Sequence, residues 1–63
     1  MEATVHFYDD DTQCVLAVPR DNGGVNNIIF EAVSSLVNYA KEIGATIARV
    51  VTHNADGSES VTI

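Results

Sequence analysis

Apolar and polar residues alternate in two short stretches near the start of the chain, residues 4–8 and 12–18. A period of two is typical of strands with one buried face. Pro19 ends the second stretch, because proline cannot donate a hydrogen bond to a sheet ladder. The pattern therefore predicts a β-hairpin whose turn contains the three consecutive aspartates of residues 9–11.

The length of this loop decides which side chains of the hairpin share a face. A loop of two or four residues places Cys14 opposite Phe7 and Leu16 opposite Val5, so that all four lie on one face. A loop of three residues would pair Phe7 with Gln13, and we reject it. We therefore expect Cys14 to face the core.

A helical period of 3.6 residues follows and predicts one helix over residues 25–43. Asp21 or Asn22 is expected to cap its first turn. Gly44 is expected to end it in a left-handed conformation. The core stripe of this predicted helix consists of Val25, Ile29, Ala32, Val33, Leu36, Ala40 and Ile43.

Two further strands are predicted over residues 45–53 and 58–63, joined by a type I turn with a left-handed glycine. This register pairs Val51 with Val61 and puts Arg49 beside Val51 on the inward face. The opposite, solvated face would then carry Thr46, Ala48, Val50, Thr52, Ser58, Ser60 and Thr62.

These elements predict the α+β fold class, in the order β-β-α-β-β. The expected architecture is an antiparallel four-stranded sheet with one helix packed on one face. At 63 residues the chain is expected to be a single compact domain, residues 1–63, of modest stability. A homodimer or a bound partner could supply additional burial.

The charge balance narrows the function more than any motif does. Nine acidic side chains stand against three cationic ones, which gives a net charge of −6 on a chain that is 46% apolar. Such a surface attracts basic partners and repels nucleic acid and anionic membranes. The single Cys14 and the lack of a secretory pattern favour a reducing, cytoplasmic location.

The predicted topology gathers the acids at two poles, with Glu31 between them on the polar face of the helix. Aspartate also favours turns because its side chain bonds nearby backbone amides, so a purely structural explanation stays open for several positions. One pole would hold Asp9, Asp10, Asp11 and Glu42, and the other Glu2, Asp21, Asp56 and Glu59.

Catalytic and ligand-binding patterns are weak. Cys14 with His6 or His53 would offer a thiol and a base, but His6 points away from Cys14 in the predicted hairpin. The aspartate turn lacks the spacing of a calcium loop. Gly23-Gly24 before the predicted helix does not match a phosphate-binding motif. We expect no catalytic residues, no metal site and no cofactor.

Small size, one α+β unit, acidic poles and no evident active site together resemble the small phage-encoded inhibitors of bacterial defence, such as anti-CRISPR proteins and DNA mimics. The resemblance is one of class and includes no diagnostic motif. It implies a non-enzymatic, cytoplasmic monomer or weak homodimer that occupies the basic, DNA-binding surface of a defence complex without binding nucleic acid or membrane. The residues expected to bind that partner are Asp9, Asp10, Asp11, Asp21, Glu31, Asp56 and Glu59.

Two alternatives stay open. The hairpin, the proline-containing loop and the helix also resemble the N-terminal part of HicB-type antitoxins, which implies a dimeric module that neutralises a basic toxin. Here Asp10-Asp11 and Pro19-Arg20-Asp21 replace the aspartate-glycine turn and proline-rich loop usual in that family. The other alternative is a minimal enzyme that uses Cys14 or a bound metal.

Overall fold

A computed structural model describes residues 1–9 and 12–62 of the chain. The described residues form five strands and one helix. In chain order these are β1 (Glu2–Tyr8), β2 (Cys14–Pro19), β3 (Val25–Phe30), α1 (Val33–Glu42), β4 (Thr46–His53) and β5 (Glu59–Thr62).

All five strands belong to one sheet, in the order β3-β2-β1-β4-β5. The pairs β1–β2, β2–β3 and β4–β5 are antiparallel, whereas β1 and β4 run parallel. The first strand of the chain is therefore the central strand of a mixed sheet. The α+β class with a single helix is confirmed, and the prediction of four antiparallel strands is wrong.

The core lies on the side of the sheet against which α1 packs, which we call the helix side. Leu16 of β2 and Leu36 of α1 are fully buried there. Ala3, Val5 and Cys14 belong to the same cluster of buried side chains. None of the described elements covers the other side of the sheet, which we call the open side. The one described helix is too short and too polar to cross a membrane.

Residues 25–30 form β3 rather than the first half of a long helix. A tight turn precedes them, in which the Gly23 amide bonds to the Arg20 carbonyl at 3.1 Å and Gly23 has a φ of 88°. The turn directs the chain back along β2, so the apolar residues that follow pair in a sheet. Asp21 and Asn22, the predicted helix caps, lie in this turn instead.

The helix begins at Val33, and Ala32 at its N-cap makes no side-chain capping hydrogen bond. Its end agrees with the prediction, since Gly44 follows with a φ of 71°. Leu36 and Ala40 are its buried residues.

The predicted pairings within both hairpins are confirmed. Phe7 pairs with Cys14 and Val5 with Leu16. Val51 pairs with Val61 in the second hairpin.

The predicted faces of β4 are inverted from its middle onward. A β-bulge interrupts the β1–β4 register, because Ala3 pairs with Ile47 while the next residue, Thr4, pairs with Arg49. One extra residue reverses every following side chain, since side chains alternate along a strand. Val50 therefore packs against the core. The residues on the open side are Arg49, Val51 and His53 of β4 and Glu59 and Val61 of β5.

Candidate functional site

The strand directions decide where each acidic residue lies. We call the end of the sheet at which β1 finishes the upper end. Tyr8 pairs there with His53, so the β4–β5 hairpin is also at the upper end. Residues of the β3–α1 connection lie there as well, because β3 runs parallel to β1. The described acids at this end form what we call the upper rim: Asp9, Glu31, Asp56 and Glu59.

The lower end, where β1 begins, has a balanced charge. Glu2, Asp21 and Glu42 lie there among the described acids. Arg20 follows the lower end of β2 and Lys41 is in the last turn of α1. Arg49 pairs with Thr4 in the lower half of β1. All three cationic side chains of the sequence are therefore away from the upper rim.

This arrangement corrects the predicted poles. Asp56 and Glu59 join Asp9 at the upper end, Glu42 is at the lower end, and Glu31 belongs to the upper rim rather than to the middle of a helix. The cause is β3, because one additional strand reverses the direction of α1 and β4 relative to β1. Asp10 and Asp11, two of the predicted binding residues, lie outside the described residues.

Each carboxylate of the upper rim is exposed. Asp56 is held by its own turn, since its Oδ1 accepts hydrogen bonds from the Ser58 amide at 2.9 Å and the Ser58 hydroxyl at 2.6 Å. These hydrogen bonds lower the pKa of Asp56 below its ordinary value of 3.8. Asp9 donates its amide to the His53 carbonyl at 2.9 Å, which fixes it beside the β4–β5 hairpin.

No lysine or arginine forms an ion pair with an acid within the described residues. The ion pair found there joins His53 Nδ1 to Glu59 Oε2 at 3.7 Å, and it requires a protonated imidazole. The upper rim is therefore a surface of uncompensated negative charge at neutral pH.

A cluster of aromatic rings lies on the open side, just below the upper rim. His6 Nδ1 and His53 Nε2 are 2.9 Å apart and share one hydrogen bond. Tyr8 stacks on His53 with ring centroids 4.5 Å apart and planes 8° apart. Burial, and next the neighbouring His53, lower the pKa of His6. The sequence pattern missed the His6–His53 contact because it depends on the parallel β1–β4 pairing.

Cys14 is separated from this cluster by the sheet. Its side chain is 1% exposed on the helix side, and its Sγ lies 3.7 Å from the Phe30 carbonyl oxygen. Burial raises the pKa of the Cys14 thiol, which disfavours the reactive thiolate. The predicted inward orientation of Cys14 is confirmed, and the thiol–imidazole pairing has no geometric support in the described structure.

A metal centre also lacks support in the part of the chain that the structure describes. No three histidine, cysteine or acidic side chains converge there on one point. His6 and His53 share a hydrogen bond, and the nearby Glu59 approaches the other nitrogen of His53.

The chain matches no known protein family, and no significant similarity to a characterised protein or a solved structure was found.

Proposed function

We propose that the chain is a non-enzymatic binding protein whose upper rim occupies a basic, nucleic-acid-binding surface of a bacterial protein complex and blocks access of DNA. The proposal places it in the bacterial cytoplasm, among the acidic inhibitors of defence systems that include anti-CRISPR proteins. The observation that supports it best is the separation of charge, with exposed acids at one end of the sheet and every lysine and arginine elsewhere.

The spread of these acids suits an extended basic groove. Glu31 follows one edge strand, Asp9 follows the central strand, and Asp56 and Glu59 belong to the hairpin of the other edge. Strands lie about 4.8 Å apart, so the rim spans about 20 Å. Duplex DNA carries one negative charge per about 1.7 Å of its axis, and a groove that holds it presents a row of lysines and arginines. Spaced carboxylates can engage such a row.

The described structure favours binding over catalysis. The buried Cys14 thiol and the two histidines are on opposite sides of the sheet. The rim carboxylates need no other group to act, because they are exposed. Binding of this kind weakens as salt increases, since exposed charges are screened.

The test is affinity capture from a bacterial lysate at low salt with two variants of equal charge. The first is the upper-rim variant, Asp9→Asn/Asp56→Asn/Glu59→Gln. The second is a matched lower-end variant, Glu2→Gln/Asp21→Asn/Glu42→Gln. Both change the net charge by the same three units, so they differ only in where the charge is lost.

We expect the wild type and the lower-end variant to retain the same nucleic-acid-binding proteins and the upper-rim variant to lose them. Exposed charge pairs contribute about 0.2–1 kcal/mol each, so loss of three weakens binding about 3-fold to 150-fold. Duplex DNA and salt should both elute the retained proteins. Equal capture by the two variants, or capture insensitive to DNA and salt, would contradict the proposal.

The identity of the captured protein separates this function from the antitoxin alternative. A DNA-binding subunit of a larger complex supports a defence inhibitor. A single small basic toxin, bound regardless of added DNA, supports an antitoxin instead and overturns the proposed function.

A further inference from the structure

The open side of the sheet carries an unbroken row of side chains across all five strands. Consecutive strand pairings link Ile29 to Val15, Val15 to His6, His6 to Val51 and Val51 to Val61. We call these five residues the open-side row. Four of them are apolar. Ile29 and Val61, at the two ends, are 62% and 58% exposed, whereas Val51 is only 6% exposed. A solvated sheet face normally carries polar residues at such positions.

The surface area of the chain is large for its mass. Its accessible surface is 4299 Å² for 6.7 kDa, and a folded monomer of that mass exposes about 3,900 Å². The open side measures about 24 by 20 Å from the strand spacing and rise. Two such faces in contact would remove about 1,000 Å² from water, which is the lower limit for a biological interface.

We propose that a second copy of this chain packs on the open side, so that the two open-side rows face each other about a two-fold axis that runs along the row. The two sheets then form a sandwich in which each row covers the other. An interface of this kind is self-complementary, because the same patch serves both copies. His6, on the central strand, lies at its centre.

Charge complementarity selects this orientation of the axis. A two-fold axis along the row reverses the strand direction of one copy relative to the other, so each upper rim faces the lower half of the other copy. Glu59, one step above the row, then approaches Arg49 of the second copy, one step below it. An axis parallel to the strands would instead place the two acidic rims together, where like charges repel.

The first test measures the mass of the wild-type chain by analytical ultracentrifugation, from low micromolar to near-millimolar concentration. We expect a transition from 6.7 kDa to twice that mass. Val61→Lys and, separately, Ile29→Lys should weaken association about tenfold or more, because the axis brings two new lysines together. Val33→Lys is the matched control, since Val33 is 50% exposed but belongs to α1 on the helix side.

The second test determines how the two copies are oriented relative to each other. Glu59→Lys and Arg49→Glu should each weaken association, and the double variant should restore it, because the charge swap recreates both cross-interface pairs. Circular dichroism verifies that each variant is folded. The proposal would be overturned if the wild type kept a mass of 6.7 kDa at every concentration, or if the control and row variants associated equally strongly. It would also be overturned if the double variant associated no more strongly than the single variants. These measurements contain no basic partner, so their outcome is independent of the proposed function.

Discussion

Replacement of Leu36 by alanine tests how the helix is held on the sheet. Leu36 has no exposed surface, and Leu36 and Ala40 are the buried residues of α1. Its side chain packs into the cluster that contains Leu16, at the middle of the helix side. Since Ala40 has little side chain to contribute, Leu36 is the main apolar anchor of the helix.

The expected cost follows from that burial. Truncation of a fully buried leucine costs about 2–5 kcal/mol, as the sum of lost transfer free energy and the cavity left behind. A chain of 63 residues has a total free energy of unfolding of about 3–9 kcal/mol. Leu36→Ala should therefore remove a large fraction of the stability.

The measurement is urea unfolding followed by circular dichroism, at one low protein concentration. With a slope of about 1 kcal/mol per molar urea, the midpoint should decrease by about 2 M or more, or the variant should be unfolded without urea. Val33→Ala is the control, because Val33 is half exposed and its truncation should change stability by about 0.5 kcal/mol or less. Similar midpoints for both variants would refute the described packing of α1.

Two further predictions concern the titratable groups. The pKa of His6 lies below its ordinary value of 6.5, mainly through burial, so the unfolded chain binds a proton at higher pH than the folded chain does, and the free energy of unfolding decreases as the pH falls below about 6.5. The urea midpoint should therefore change less between about pH 8 and 5 in His6→Gln than in the wild type. The same change in midpoint for both proteins would contradict this prediction. Burial raises the pKa of the Cys14 thiol, so a thiol-specific disulfide reagent should label Cys14 only after denaturation, whereas fast labelling of the native chain would show that the thiol is accessible.

The sequence pattern predicted the two hairpins correctly because local signals define them. Alternation over residues 4–8 and 12–18 and the loop length were enough to pair Phe7 with Cys14. The second hairpin was also predicted, since a left-handed glycine marks its turn, and Gly57 has a φ of 90°.

The same signal also precedes β3. Asn22-Gly23 is a strong hairpin dipeptide, and Gly23 adopts the left-handed conformation as Gly57 does. The helical spacing of the apolar residues from Val25 onward outweighed it, because Val25, Ile29 and Val33 also fit a period of about four. In the structure these three residues are exposed, so the apparent stripe was not a core stripe.

The bulge in β4 and the contact between His6 and His53 had no local signal. Both depend on β4 pairing with β1, which lies at the other end of the chain. The grouping of acids at the upper rim also depends on this pairing. Asp56 and Glu59 were identified as candidate binding residues, but their position beside Asp9 required the direction of β4. The positions of the acidic residues can be read from the sequence, whereas their grouping at one end of the sheet requires the strand directions.

The parallel pairing of β1 with β4 also constrains the order in which the chain folds. His6 and His53 are 47 residues apart in the sequence, yet they are in contact. The strands β1, β2 and β3 join through short connections and can pair early, but one side of the central strand stays open until β4 docks. Closure of such a long loop is entropically costly, and long-range pairing slows folding. During synthesis, one edge of β1 stays unpaired until β4 has been made, and misassembly would begin at that edge.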